Sequence, residues 1–233
     1  MSEQIQTARK PNVLWGFTGS VATVKVPKAV LELRKKGYQV ALIGTEKGKS
    51  LLLDGIGERY DPITFQKFEN TVKIYVDSDE WTKEFTVGKD EVLHIELRKW
   101  ADILVIAPLS ANTLAKIANG ICDNLLTCVV RAWDPRKPIV VAPAMNTFMW
   151  NSPFTEKHLN SLKTLQCITV VPPIVKTLAC KDTGIGAMAE IEEIQRVLEL
   201  YSASIPKRNN SNIKIIVLCI TFTVIALKRS LLV

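Results

Sequence analysis

The sequence predicts an α/β fold, a doubly wound parallel sheet in a single domain. Three observations carry that expectation. Short, continuously apolar runs recur along the chain, helical patterns alternate with them, and the runs end at Gly or Pro before small polar loops. Strands that are apolar throughout are buried on both faces. Their alternation with helices gives right-handed crossovers and a parallel sheet.

Val13–Trp15 reads as the first strand, ending at Gly16. Val26, Ala29, Val30 and Leu33 fall at i, i+3, i+4 and i+7, one face of a helix that stops near Lys35-Lys36-Gly37. Val40–Ile43 and Val72–Val76 read as the second and third strands. Ile103–Ala107 is the fourth and ends at Pro108, and Thr113–Ile117 begins another helix. Ile139–Ala142 is the fifth strand, ending at Pro143, and Ile168–Val171 is the sixth. Ile191–Leu200 is the closing helix. The organisation expected is a flexible N-terminus over 1–11, a domain over 12–201, a linker over 202–212 and an apolar tail over 213–233.

Of 233 residues, 47% are apolar and 23% charged, enough to build a core. The net charge of +7 is concentrated at one end. Residues 204–233 hold Lys207, Arg208, Lys214, Lys228 and Arg229 and no acid. The body is nearly balanced, which argues against a nucleic-acid partner. Five cysteines, no C-x-x-C pair and no secretory signal point to a reducing cytoplasm and to no metal site.

Ligands of such sheets bind where the strands end. Gly16-Phe17-Thr18-Gly19-Ser20-Val21-Ala22 suits backbone approach to a phosphate, although a tight turn would also use its glycines. It lacks the spacing of a dinucleotide fingerprint, so a mononucleotide fits better. Ala107-Pro108-Leu109-Ser110-Ala111-Asn112-Thr113 caps a helix and equally suits a flat polar ligand. In Pro143-Ala144-Met145-Asn146-Thr147-Phe148-Met149-Trp150, Asn146 offers a donor and an acceptor, while the methionines and Trp150 have the character of core residues. His94, one of two histidines, reads either as a structural residue or as a general base. Ala179 to Met188 holds two glycines spaced by one residue, as in a mobile flap, and Cys180 there is either a reactive thiol beside Lys181 or an inert one.

Taken together, these segments resemble the homo-oligomeric flavin-containing cysteine decarboxylases. The resemblance is to the plant halotolerance type that acts on 4'-phosphopantothenoylcysteine, and it spans Val13 to Ala189. Pro108 to Thr113 is similar to the family's P-A/L-S-A-N-T, and Pro143 to Trp150 to its P-x-M-N-x-x-M-W. The resemblance implies a flavodoxin/Rossmann-like domain that converts the substrate to 4'-phosphopantetheine in coenzyme A biosynthesis. It implies FMN held by Gly19, Ser20, Val21, Thr45, Ser110, Ala111, Asn112, Thr113 and Ala144. Substrate would meet Asn146, Met149 and Lys99. His94 would be the base, Cys180 the proton donor, and the active form a homotrimer. A redox group serves a decarboxylation here for a chemical reason. Loss of CO2 from an unactivated cysteine carboxylate would leave an unstabilised carbanion, whereas a thioaldehyde formed at the thiol carbon accepts the electrons. The chain departs from the family pattern at Lys181, where glycine is usual, and at Lys99, where arginine is usual.

Other functions compatible with the same segments are peptidyl-cysteine decarboxylation and a non-catalytic, FMN-bound regulator of a phosphatase. The apolar run Ile215–Leu227 spans roughly 20 Å as a helix, short of a hydrocarbon core of about 30 Å. Membrane contact by the tail is therefore not expected.

Overall fold

The structure is a computed structural model. It describes residues 10–205 apart from 55, 70, 82–85, 87–88 and 178–182. Cys180 and Lys181, most of the expected linker and all of the apolar tail lie outside the described residues.

From the amino end, β1 (Asn12–Phe17), α1 (Val26–Lys35), β2 (Gln39–Gly44), α2 (Glu46–Leu53), α3 (Ile56–Tyr60), α4 (Pro62–Glu69) and β3 (Ile74–Tyr75) form the first half. The second half is α5 (Leu93–Trp100), β4 (Ile103–Leu109), α6 (Ala111–Ala118), α7 (Leu125–Arg131), β5 (Ile139–Pro143), α8 (Thr147–Trp150), α9 (Pro153–Lys163) and β6 (Ile168–Val170). A hairpin of β7 (Ile174–Thr177) and β8 (Thr183–Ala187) and the helix α10 (Ile191–Ser204) close the described chain. Strand order in the main sheet is β3-β2-β1-β4-β5-β6, all parallel. This order reverses between β1 and β4, the switch point at which a doubly wound sheet opens a crevice.

The alternation of side chains along each strand builds two cores. Val13, Trp15 and Val105 point to one face, where Ala29, Val30 and Leu33 of α1 and Ile194 and Leu198 of α10 cover them. Leu14, Leu104 and Ile106 point to the other, under Leu97 of α5, Leu114 of α6, Leu126 of α7 and Leu162 of α9. All of these side chains but Leu97 are fully buried, which is why β1 and β4 read as unbroken apolar runs.

All six expected strands form, although the first runs on to Phe17 and the third shrinks to Ile74–Tyr75. Two other boundaries move for a visible reason. β4 continues through Pro108 to Leu109, because Leu109 pairs with Pro143 and Ala144 N–H donates to the Leu109 carbonyl at 2.9 Å. Helix α10 runs to Ser204, so the expected linker does not begin at 202. The Ser202 hydroxyl donates to the Leu198 carbonyl at 2.9 Å and lies 3.0 Å from the Tyr38 hydroxyl.

Candidate functional site

The loops after β1, β2, β4 and β5 emerge along one edge of the sheet, as parallel strands require. Four residues expected at the site begin helices there. Ser20 caps a 3-10 turn (Val21–Lys25), Thr45 caps α2, Ser110 caps α6 and Asn146 caps α8. Their side-chain oxygens accept from Ala22 N–H at 3.4 Å, Gly48 N–H at 3.2 Å, Thr113 N–H at 3.4 Å and Phe148 N–H at 2.8 Å. Each helix therefore presents its amino end, with its unpaired N–H groups, to the same edge.

A buried threonine joins the two central loops. Thr18 is fully buried, and its hydroxyl donates to the Pro108 carbonyl at 2.9 Å while accepting from Ser110 N–H at 2.8 Å. The Thr18 carbonyl in turn accepts from the Thr23 hydroxyl at 2.8 Å and from Ser20 N–H at 2.7 Å. Ser110 and Thr113 are buried behind this bridge, whereas Gly19, Val21 and Asn112 are exposed. A Cβ on Gly19 would meet the aliphatic stem of Lys47 at 3.1 Å, so the small residue keeps this approach open. Hydroxyls and an amide around an open glycine turn suit the phosphate and polar ring edges of a flavin mononucleotide.

The loop after β5 is held by the hairpin. Met145 N–H donates to the Gly186 carbonyl at 2.9 Å, and a Cβ on Gly184 would come within 2.6 Å of the Thr147 hydroxyl. Ala144 is buried, Met145 nearly so, and Trp150 half-buried. Met149 and Phe148 are 48% and 80% exposed, so their apolar character does not mark them as core. Glu190 ties the base of this hairpin to the first loop through Lys25 at 2.9 Å and Lys176 at 3.2 Å. The Lys25 hydrogen bond holds the Glu190 carboxyl below its ordinary range.

His94 lies in the first turn of α5, with Nδ1 in contact with Oε1 of Glu80. The sequence reading missed Glu80, an acid 14 residues earlier that is 8% exposed. Its charge is felt nearby. Burial first, and then Glu80, pushes the Cys128 thiol up. Lys99 pairs with Glu96 at 2.6 Å on an exposed face of the same helix. At about 100° per residue, Lys99 stands some 140° around the helix from His94, while Arg98 lies within about 40° of it. Glu80 follows β3 and Asn146 follows β5, four strands away. At about 4.8 Å per strand their ends are roughly 19 Å apart. The fold therefore gathers the expected cofactor residues along the central strands and leaves His94 and Asn146 on separate sides of them.

Comparison with known proteins agrees with this architecture. The Flavoprotein family profile matches residues 1–200. Phosphopantothenoylcysteine decarboxylase of Oryza sativa subsp. japonica is 49% identical over 203 residues, which cover 87% of this chain and 86% of that protein. A solved structure of a cysteine-to-serine mutant of PPC decarboxylase, complexed with pantothenoylaminoethenethiol, is 50% identical with a TM-score of 0.73, covering 83% of this chain and 98% of that one. The FMN binding protein AtHal3 is 49% identical with a TM-score of 0.71, covering 85% and 100%. On a profile match across most of its length and relatives at half identity, the chain belongs to the flavoprotein family.

Proposed function

We propose that the protein is an FMN-dependent decarboxylase that converts 4'-phosphopantothenoylcysteine to 4'-phosphopantetheine. The observation that carries the reading is the Thr18–Ser110 bridge, which sets an open glycine turn and a capped helix side by side at the switch point. Identities near 50% to phosphopantothenoylcysteine decarboxylases support the substrate.

Bound FMN supplies reversible hydride acceptance, which turns the substrate thiol carbon into an electron sink for CO2 loss and then restores it. Gly19, Ser20, Val21 and Thr45, with Ser110, Ala111, Asn112 and Thr113, would hold the cofactor, and Ala144 would lie against it. The chain's own residues bind and move protons. Asn146 orients the substrate carboxylate through its side-chain amide, and Met149 lines the same loop. Lys99 is proposed to contact substrate from α5. His94 takes the thiol proton, which makes the sulfur electron-rich enough to release hydride from its carbon. Cys180 returns a proton to the enethiol after CO2 has left. The solved relative bearing pantothenoylaminoethenethiol is a cysteine-to-serine mutant, which supports that assignment.

The active form is proposed to be a homotrimer in the cytoplasm. The separation of His94 from Asn146 across the sheet supports a site completed by a second copy. So do the exposed apolar side chains Phe148, Met149 and Phe154 beside the Asn146 loop. Among the described residues no helix is long and apolar enough to cross a membrane, and Cys122, Cys128 and Cys167 are free thiols.

The purified yellow protein mixed with phosphopantothenoylcysteine should release CO2. His94→Asn should abolish thiol oxidation, while Cys180→Ser should release CO2 and accumulate the enethiol. Absence of CO2 from the flavin-loaded wild type overturns the activity. Normal turnover by Cys180→Ser overturns its role as proton donor.

A further inference from the structure

We propose that Glu80 is the positioning residue of His94, holding a proton on Nδ1 so that Nε2 is the nitrogen that accepts the substrate proton. The inference rests on the decarboxylase reading above and adds a residue to it. The Glu80 side chain is 5% exposed and that of His94 22%, so the acid is sheltered while the His94 side chain keeps some access to solvent. An ionised carboxylate can only accept, so the ring nitrogen facing it carries the hydrogen. The other nitrogen then keeps its lone pair. In the opposite tautomer Nε2 would be protonated and unable to act as a base.

Both partners are fixed by the fold. Glu80 closes a 3-10 turn (Asp77–Asp79) that is clipped at each end. Val76 N–H donates to Asp79 Oδ2 at 2.8 Å, and Glu80 N–H to the Asp77 carbonyl at 3.2 Å. Leu125 N–H donates to Asp77 Oδ1 at 2.8 Å, anchoring the turn to the start of α7. His94 rides on α5, whose Leu97 is buried in the same core as Leu125 and Leu126. Two elements docked on one helix thus hold the acid against the base. That is the arrangement by which a carboxylate fixes an imidazole's tautomer and orientation.

The chain has only two histidines, so its imidazole nitrogens can be read directly. The flavin-loaded protein would be labelled with 15N-histidine, with His158→Gln separating the two signals. At mildly alkaline pH His94 should show a protonated Nδ1 and a bare Nε2. Glu80→Leu should shift His94 toward the Nε2-protonated form and lower kcat by about 100-fold, with KM within about twofold and FMN retained. Glu80→Gln keeps an acceptor oxygen and should preserve the tautomer, with a smaller loss of about tenfold. Because Glu80→Leu removes a buried charge, Glu80→Gln and the wild-type spectrum decide the question if the leucine variant does not fold. A wild-type His94 protonated on Nε2, or wild-type kcat in either Glu80 variant once its His94 has shifted to the Nε2-protonated form, overturns the proposal. If the wild type releases no CO2, the decarboxylase reading fails, while the tautomer measurement still decides the role of Glu80.

Discussion

Thr18 and Ser110 meet across the switch point of the sheet through one buried hydroxyl, which accepts from Ser110 N–H at 2.8 Å and donates to the Pro108 carbonyl at 2.9 Å. A side chain from the loop after β1 thereby fixes the backbone of the loop after β4. Water is a poor substitute partner for either backbone group, because Pro108 and Ser110 are both buried.

Thr18→Val keeps the shape and removes both bonds. It leaves a buried N–H and a buried carbonyl unmatched, at a cost of about 2–3 kcal/mol. For a domain of this size that is a fall in Tm of roughly 5–10 °C, and FMN should be released at lower denaturant than from wild type. Thr18→Ser keeps the hydroxyl and should lose less. Thermal melts followed by flavin fluorescence compare the two. A Thr18→Val variant that melts like wild type while Thr18→Ser falls would mean that the methyl group, not the bridge, is what matters.

Much of this arrangement was legible in the sequence because parallel strands are buried on both faces. The runs around Leu14 and Leu104 could not be read as anything exposed. The cap at Ser110 was legible too, since short polar residues after a strand begin helices, whereas Asn146 was read only as a ligand-facing amide and its cap on α8 was not. The elements between 46 and 69 were not read, although Thr45 before Glu46 is a helix start. Nor was α7, where Asn124 and Thr127 form a reciprocal cap. The β7–β8 hairpin was masked by its composition. Its glycines suggested a flap, yet they serve close packing on Met145 and Thr147. Glu80 was illegible for a different reason. Its partner is 14 residues away, and no local pattern marks an acid that a tertiary contact will bury.

Gly186 shows what that packing requires. Its φ of +141° is one that side-chain-bearing residues rarely adopt, and an added Cβ would collide with the Met145 carbonyl. Gly186→Ala should therefore break the Met145 N–H bond to residue 186 and displace the hairpin from the Asn146 loop. The expected result is a kcat reduced at least about tenfold with FMN still bound, because the Thr18–Ser110 bridge is elsewhere. Flavin absorbance and steady-state kinetics on one preparation test it. An unchanged kcat would show that the hairpin does not position the loop.

The Glu190 bridge gives an acid-dependent effect. Its carboxyl is held below the ordinary glutamate range by Lys25 first and Lys176 second. A depressed folded pKa adds stability above the unfolded value of about 4.3 and loses it as pH falls through the folded value. Because Glu190 is 47% exposed, solvent screens the pair and the gain is under about 1 kcal/mol. Glu190→Gln should thus be slightly less stable than wild type at pH 7, and the two should converge as pH falls through the lowered folded value. Urea melts at several pH values measure the gap. A gap that persists at low pH would assign the effect to packing rather than charge.

Truncation tests where the folded domain ends. Residues Lys10–Ile205 form one compact unit, and the last turn of α10 belongs to it. Ile205 and Tyr201 pack on the core beside Leu198, and Ser202 meets Tyr38. Cutting after Ile205 leaves all of these contacts in place and removes the apolar run Ile215–Leu227, whose β-branched content favours aggregation. The protein ending at 205 should keep FMN and decarboxylation, melt within about 2 °C of the full chain, and remain in solution at higher concentration. A chain ending at 200 loses the Tyr201, Ser202 and Ile205 contacts and should melt several degrees lower, at about 2–4 °C per kcal/mol lost. Loss of flavin from the 205-residue protein would show that residues beyond 205 take part in the fold. Equal melts for the two truncations would place the end of the folded domain before α10 finishes.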